Sequence, residues 1–269
     1  MTSATATPEV TTKGAGDPDS FRVLGVPVNV LDMPLALQTI DQFISNKRGG
    51  YICIRDVHGV MAAQVDEHLQ NIHEHALLVT PDGMPLVWLG RLNGYASIRR
   101  VCGPDLVSAL CAHSIDRGYT HYFFGGTDDV LTKLMATLRF QFPGLKIAGW
   151  ECPPFKTTTT TPDLAATEKM RMANPDIIWI GLGSPKQEYW MQANAANLPS
   201  AIQIGVGAAF AFHAGIVQRA PLWMQKSGLE WLFRLAQEPG RLWRRYLVMA
   251  PKFVTLATWE LLKRRLYDR

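Results

Sequence analysis

Short apolar runs alternate with amphipathic stretches along most of this chain, and that alternation sets its predicted elements. Residues 51–54, 76–79, 121–124, 145–150, 176–180 and 201–204 are mainly apolar segments of strand length. Such runs are expected of strands buried on both faces. Between them, residues 34–44, 60–73, 105–115, 130–140, 164–173 and 186–194 carry apolar side chains at helical spacing; Leu35, Leu37, Ile40 and Ile44 form the stripe of the first. Residues 21–30 predict an opening strand or hairpin, and residues 85–92 a short helix stopped by Gly94. The tract from Thr157 to Thr161 predicts a loop. Strand, glycine-bearing turn and helix, repeated several times, predict an α/β fold with a mainly parallel sheet and helices on both faces. From Trp223 onward the pattern becomes aromatic and basic helix without strands, which predicts a boundary near 215–222.

Composition narrows the class. Hydrophobic residues make up 47% and charged residues 19% of 269, enough for a sizeable core. The net charge is only +4, but it is unevenly placed. From Arg219 to the end there are 11 Lys/Arg against 4 Asp/Glu, so the remainder holds 16 basic and 19 acidic residues. Cationic character therefore belongs to the C-terminal part. That suits a phosphate-rich ligand or an anionic membrane surface, and it disfavours nucleic acid, which the rest of the chain would repel. Cys53, Cys102, Cys111 and Cys152 show no CxxC spacing and predict buried free thiols. No zinc-ligand pattern is present. Residues 1–20, rich in Thr, Ala, Pro and Gly, predict a disordered tail and neither a signal peptide nor an anchor. No apolar run of about 18 residues predicts a membrane-spanning helix.

The chemistry centres on Val79-Thr80-Pro81-Asp82-Gly83-Met84-Pro85. Pro81 fixes φ and Gly83 frees it, so the chain bends where Asp82 sits. Asp82 then either caps the helix that follows or faces a ligand beyond the carboxyl ends of the strands. Three further turns, Gly125-Gly126, Gly181-Leu182-Gly183 and Gly205-Val206-Gly207, follow apolar strands. Each serves either packing or the close approach of backbone N–H groups to a phosphate. After the second, Lys186 and Gln187 open a helix and either decorate it or meet a ligand held on the turn. In the C-terminal part, Arg234, Arg241, Arg244 and Arg245 lie among Trp231, Phe233, Trp243 and Tyr246. Pro239-Gly240 is expected to separate two helices there. Arginine forks suit phosphate, and aromatics beside clustered cations suit a helix at a membrane interface.

These residues resemble the WecG/TagA/CpsF glycosyltransferases from about Phe21 to about Tyr246. The resemblance is carried by TPDGMPLVW, RRVCGPDLV, YFFGGTDDV, GLGSPKQEYW, GVGAAFAFHAG and QRAPLWMQKSGLEWLFRLAQEPGRLWRRY. It implies a Rossmann-like catalytic domain over residues 21–217 and a membrane-associating helical appendage over 218–269. It also implies transfer of a hexose, glucose or N-acetylmannosamine in type, from a UDP-sugar to a polyprenyl-diphosphate-linked saccharide. Such an enzyme, serving surface or exopolysaccharide synthesis, would be cytoplasmic and peripheral on the inner membrane face; a homo-oligomer is compatible with it. By the same resemblance Asp82 is the catalytic base, Arg100 lines the site, Gln187 is a site glutamine, and Arg234, Arg241 and Arg244 meet the diphosphate. Thr80 and Gly83 beside Asp82, the three glycine turns and Lys186 are the other expected substrate contacts.

The chain departs from the family pattern twice. Asp56-Val57-His58 stands where Thr-x-Asn is usual, and Phe210-Ala211-Phe212 where FDF is frequent. The first places a carboxylate and an imidazole beside the expected acceptor, making His58 a second candidate catalytic or acceptor-binding residue. The second leaves no carboxylate at position 211. His213 is expected to be structural. The sequence's DxD, Asp17-Pro18-Asp19, falls in the expected tail, so catalysis without metal or cofactor is expected, with backbone N–H groups and arginines taking the diphosphate charge. Attack opposite the leaving group would invert the anomeric centre. Two other classes fit less of the chain. A nucleotide-dependent oxidoreductase would need a complete GxGxxG with an acidic residue about twenty positions on, and neither is present. A non-catalytic UDP-sugar- and lipid-binding protein would bind UDP without releasing it.

Overall fold

The computed structural model describes residues 16–154 and 160–267. A hairpin of β1 (Ser20–Val23) and β2 (Val26–Asn29) precedes a six-stranded sheet. The sheet is formed by β3 (Gly50–Arg55), β4 (Leu78–Pro81), β5 (Thr120–Gly125), β6 (Lys146–Glu151), β7 (Ile177–Gly181) and β8 (Ile202–Gly205). Its order is β4-β3-β8-β7-β5-β6, and every pairing in it is parallel. All the strand carboxyl ends therefore lie along one edge, where such sheets bind ligands.

Except in the edge strand β6, which has no buried residue, the apolar runs are explained by burial on both faces. Ile52, Leu78, Phe123, Trp179 and Ile204 point to one core, while Cys53, Val79, Phe124, Ile178 and Ile180 point to the other. The first core is covered by α1 (Met33–Ser45), α5 (Gly103–Arg117), α6 (Asp128–Gln141) and α9 (Ala209–His213). The second is covered by α2 (Val57–Ala63), α3 (Glu67–Glu74), α4 (Met84–Leu92), α7 (Leu164–Ala173), α8 (Lys186–Asn194) and the hairpin. Some polar groups inside are paired, as where buried Trp179 donates its Nε1–H to His121 Nδ1 at 3.0 Å, whereas the buried side chains of His73 and Gln203 have no hydrogen-bond partner.

Three expectations change. Residues 60–73 form two helices, because the Asp66 carboxylate accepts from Leu69 N–H at 2.9 Å and starts α3 afresh. α9, within the FAFHAG segment, was not expected. Cys152 is half-buried, whereas Cys53, Cys102 and Cys111 are buried free thiols as expected.

The expected tail also shortens. Residues 1–15 lie outside the described part, as do residues 157–159 of the threonine tract. Asp17, however, bonds both terminal nitrogens of Arg48 at 2.7 and 3.0 Å. Folded structure thus begins before Phe21. Arg48 lies two residues ahead of β3, while Pro18 and Asp19 accept bonds from Asn29 and Val30 at the end of the hairpin.

Every regular element of the C-terminal part is helical among its described residues. It comprises α10 (Leu222–Lys226), α11 (Glu230–Gln237), α12 (Pro239–Trp243), a π-helical stretch (Arg244–Met249) and α13 (Ala250–Tyr267). Pro239 opens α12, where its missing N–H costs nothing. The break falls at Glu238. α13 returns to the α/β domain: Phe253 and Ala257 join the second core, and Leu24 N–H donates to a Glu260 carboxylate oxygen at 2.9 Å. Among the described residues no helix is long and apolar enough to cross a membrane.

Candidate active site

Three chain segments meet at the carboxyl ends of β3 and β4. The residue after β3 is Asp56, the residue after β4 is Asp82, and the C-terminal helices close over both. The cleft between them has a volume of about 250 Å³. Its walls carry Asp56, His58, Asp82 and Arg100 from the α/β domain, and Glu230, Arg234 and Arg245 from the helices above. Phe212, Trp231 and Tyr246 supply aromatic surface.

Asp82 is fixed by backbone bonds on both sides. Its N–H donates to Arg55 O at 2.8 Å, and its carbonyl accepts from Arg100 Nε at 2.6 Å. It is not a helix cap: Gly83 occupies the N-cap of α4, and no side chain bonds there. The carboxylate, 30% exposed, looks into the cleft. Burial beneath the helices pushes it up to about 6, assisted by the negative charges of Asp56 and Glu230 and opposed by Arg100 and Arg245. Arg100 Nη2 lies 3.5 Å from Asp82 Oδ1 but only 2.7 Å from Glu230 Oε2.

Asp56 behaves oppositely. It caps α2 by accepting from Gly59 N–H at 2.9 Å and forms an ion pair with Arg245. Desolvation pushes its carboxyl up, but Arg245 and that N–H outweigh it and hold the group at about 2. His58, in the first turn of α2, is lowered by burial and by Arg245, so its imidazole is neutral at pH 7. The α/β side of the cleft thus presents one ionised carboxylate, one poised to exchange a proton near neutrality, and a neutral imidazole.

Beneath this floor runs a buried polar chain. Arg55 and Glu188, 1% and 0% exposed, are ion-paired. Arg55 also reaches Ser184 Oγ at 3.3 Å. Gln187 Nε2 donates to Glu188 Oε1 at 2.9 Å, and Gln187 Oε1 accepts from Gly207 N–H at 2.9 Å. The chain ties the end of β3 to the turns after β7 and β8.

Of the residues singled out in the sequence, His58, Asp82, Gly83, Arg100 and Arg234 line the cleft. Thr80 does not; it is buried, with its hydroxyl on Val101 O at 3.1 Å. Gln187 is likewise buried and spent on protein partners. Gly125 and Gly181 permit β5 and β7 to approach: a Cβ on Gly125 would lie 2.6 Å from the Gly181 carbonyl carbon, and one on Gly181 would overlap the Phe210 ring. Gly126 N–H donates to Gly181 O at 3.2 Å. Gly205 abuts Gln187 and Met191. Gly183 and Gly207 hold positive φ, and Gly183 borders open space. Lys186 opens α8 outside the cleft lining. Arg241 is exposed and pairs with Glu238, and Arg244 lies over the Trp243 ring at 5.3 Å. Neither lines the cleft; their neighbour Arg245 does. Arg234 Nε is buried without a protein partner, and its guanidinium lies 5.4 Å from the Phe212 ring centroid. His213 is structural, donating to Pro104 O at 3.0 Å. Sequence reasoning left out Asp56, Glu230 and Arg245 as site residues, although Asp56 had stood out as a departure from pattern.

The chain is a Rossmann-like α/β protein whose candidate cleft is closed over by a C-terminal helical segment. The chain belongs to the WecG/TagA/CpsF family of glycosyl transferases, whose model matches residues 21–267. It is similar to the N-acetylglucosaminyldiphosphoundecaprenol N-acetyl-beta-D-mannosaminyltransferase of Bacillus spizizenii (strain ATCC 23059 / NRRL B-14472 / W23), with 28% identity over 213 residues, 79% of this chain and 80% of that protein. It is also similar to the protein of the same name from Bacillus subtilis (strain 168), with 27% identity over 227 residues, 84% and 86% of the two.

Proposed function

We propose that this protein is an inverting glycosyltransferase that moves a hexose from a UDP-sugar to a polyprenyl-diphosphate-linked saccharide, with Asp82 as general base. The likeness to the two Bacillus enzymes favours an N-acetylmannosamine-type sugar; the Asp56-Val57-His58 turn keeps a glucose-type donor as the second choice. The observation that carries this function is Asp82 itself: a carboxylate at the carboxyl end of a core strand, inside the cleft, raised toward neutrality by burial. A base tuned near the operating pH is effective at removing a hydroxyl proton.

In this mechanism the acceptor hydroxyl gives its proton to Asp82 while its oxygen forms the bond to the anomeric carbon. The bond from that carbon to the UDP oxygen breaks, and its electron pair leaves on the diphosphate. Arg234, whose Nε has no protein partner, stands ready for phosphate oxygens, with Arg100 and Arg245 beside it. His58, neutral, can accept or donate a hydrogen bond to the acceptor sugar. No step needs a metal ion.

In this reading membrane contact falls to the appendage, and the enzyme works as a peripheral protein on the inner face. Trp223, Leu232, Leu247, Val254 and Trp259 are exposed there among Arg241, Arg244, Lys252 and Lys263.

The test is UDP release across UDP-sugars with a short polyprenyl-diphosphate-linked N-acetylglucosamine acceptor, with and without EDTA. Release that depends on acceptor, survives EDTA and is lost in Asp82→Asn is expected. Folded, vesicle-bound protein that releases UDP from no donor would overturn the proposal.

A further inference from the structure

Glu230 is the appendage carboxylate closest to the catalytic machinery, and it is only 15% exposed. Two guanidiniums hold it. Arg100 Nη2 lies 2.7 Å from Glu230 Oε2, and Arg219 Nε lies 3.7 Å from Glu230 Oε1. Arg219 is in turn paired with Asp105 at the start of α5. Glu230 is thus anchored from both sides, and Arg100 is the shared element between it and Asp82.

The geometry of Arg100 matters. Its Nε is committed to the Asp82 carbonyl, so the guanidinium cannot leave the neighbourhood. Its Nη2 has two anions within reach and lies 0.8 Å nearer to Glu230 than to Asp82 (3.5 against 2.7 Å). Without Glu230, the remaining anion beside Nη2 is the Asp82 carboxylate, and a guanidinium at direct contact quenches the basicity of a carboxylate.

We propose that Glu230 is a positioning residue for Asp82: it draws Arg100 aside, so that the Asp82 carboxylate is free to take a proton when α11 is docked over the cleft. This rests on Asp82 being the general base. It assigns the appendage a role in the chemistry distinct from supplying cations to a phosphate. An undocked appendage would let Arg100 close on Asp82 and silence it, so turnover would follow the state of the appendage.

The other groups facing Asp82 leave this dependence intact. Arg245 and Asp56 face it from the π-helical stretch and the end of β3, but they are paired with each other. Cys102, before α5, is a thiol pushed up by burial and uncharged at neutral pH. Tyr246 is also raised by burial and stays neutral. Glu230 and Arg100 are the pair whose rearrangement changes the charge felt by Asp82.

The experiment is a pH titration of the Asp82 carboxyl carbon by NMR in the full chain labelled with [4-¹³C]aspartate, assigned by Asp82→Asn. The wild type is expected to titrate near pH 6. Glu230→Gln is expected to lower the midpoint by about 1 unit or more. With substrate, the acid limb of kcat should move down with it and kcat should fall, while the KM of the donor holds. If Glu230→Gln fails to fold, Glu230→Asp, whose carboxylate stands one methylene further from Arg100, should give a smaller shift in the same direction. An unchanged midpoint in a variant with a wild-type melting curve overturns the proposal. A lowered midpoint in a protein that releases no UDP from any donor supports the Glu230–Arg100 coupling and removes the glycosyl-transfer function. An unchanged midpoint in an active enzyme does the reverse.

Discussion

The carboxylate of Asp56 holds the guanidinium of Arg245, a residue 189 positions further along the chain. That ion pair joins the end of a core strand to the helices above it, directly over the cleft. Each side chain is about one-quarter exposed, so the pair is worth little as a stabiliser, about 1 kcal/mol at most. Its value is positional. Asp56→Asn should leave global stability nearly unchanged while raising amide hydrogen exchange in residues 239–249. Equal exchange in the two proteins would remove the pair from any role in docking.

The pH dependence of stability follows from Asp82. Its folded-state value, about 6, lies above the ordinary 3.8, so the native state binds more protons than the unfolded state between those values. Stability from this group is full below pH 3.8 and is lost as pH rises through 6. Asp82→Asn should therefore be more stable than the wild type at pH 8, by about 2 kcal/mol, and the gain should vanish by pH 4. Thermal melts of both proteins from pH 4 to 8 measure it.

Activity should run the other way. The base must be ionised, so kcat/KM for UDP release should fall on the acid side with a midpoint near pH 6. A limb near pH 4 would mean that the base in turnover is not a carboxyl raised by burial.

Cations inside and outside the cleft should separate. Arg234→Ala should raise the donor or acceptor KM about tenfold or more, the cost of one charge-assisted contact. Arg241→Ala with Arg244→Ala should instead weaken binding to anionic vesicles by about 1 kcal/mol for each lost charge. The reverse ranking would put the outer pair on the diphosphate.

Glu188→Ala should destabilise the fold by about 3–5 kcal/mol, because it strands Arg55 in the interior. Urea denaturation with an unchanged m-value would show the loss.

The fold was legible wherever periodicity is a one-dimensional property. Residues 186–194 were expected as a helix and form α8, and the apolar runs became strands because the sheet is covered on both faces. The break at Asp66 was harder, since a capping aspartate looks like any polar residue on an amphipathic helix until its bond to Leu69 N–H is seen. Asp82 could be picked out because proline and glycine force a bend around it. Arg245 could not be separated from Arg244: neighbours on a helix point in different directions, and only the docked register decides which faces inward. Gln187 stood out by pattern, yet its amide is spent on Glu188 and Gly207, contacts that depend on how β7 and β8 meet. Glu230 carries no local signal; its importance comes from Arg100 and Arg219, both distant in sequence.

The bond from Leu24 to Glu260 bears on how the protein is made. Asp82 is synthesised early, in the first third of the chain, but Glu230, Arg234 and Arg245 belong to its last fifth. A growing polypeptide on the ribosome therefore carries Asp82 without its roof, and the first hairpin without its closing helix. The cleft can be completed only after residue 245 has emerged, so a product terminated before it would carry Asp56 and Asp82 at the strand ends without the Arg245 partner that lies over them.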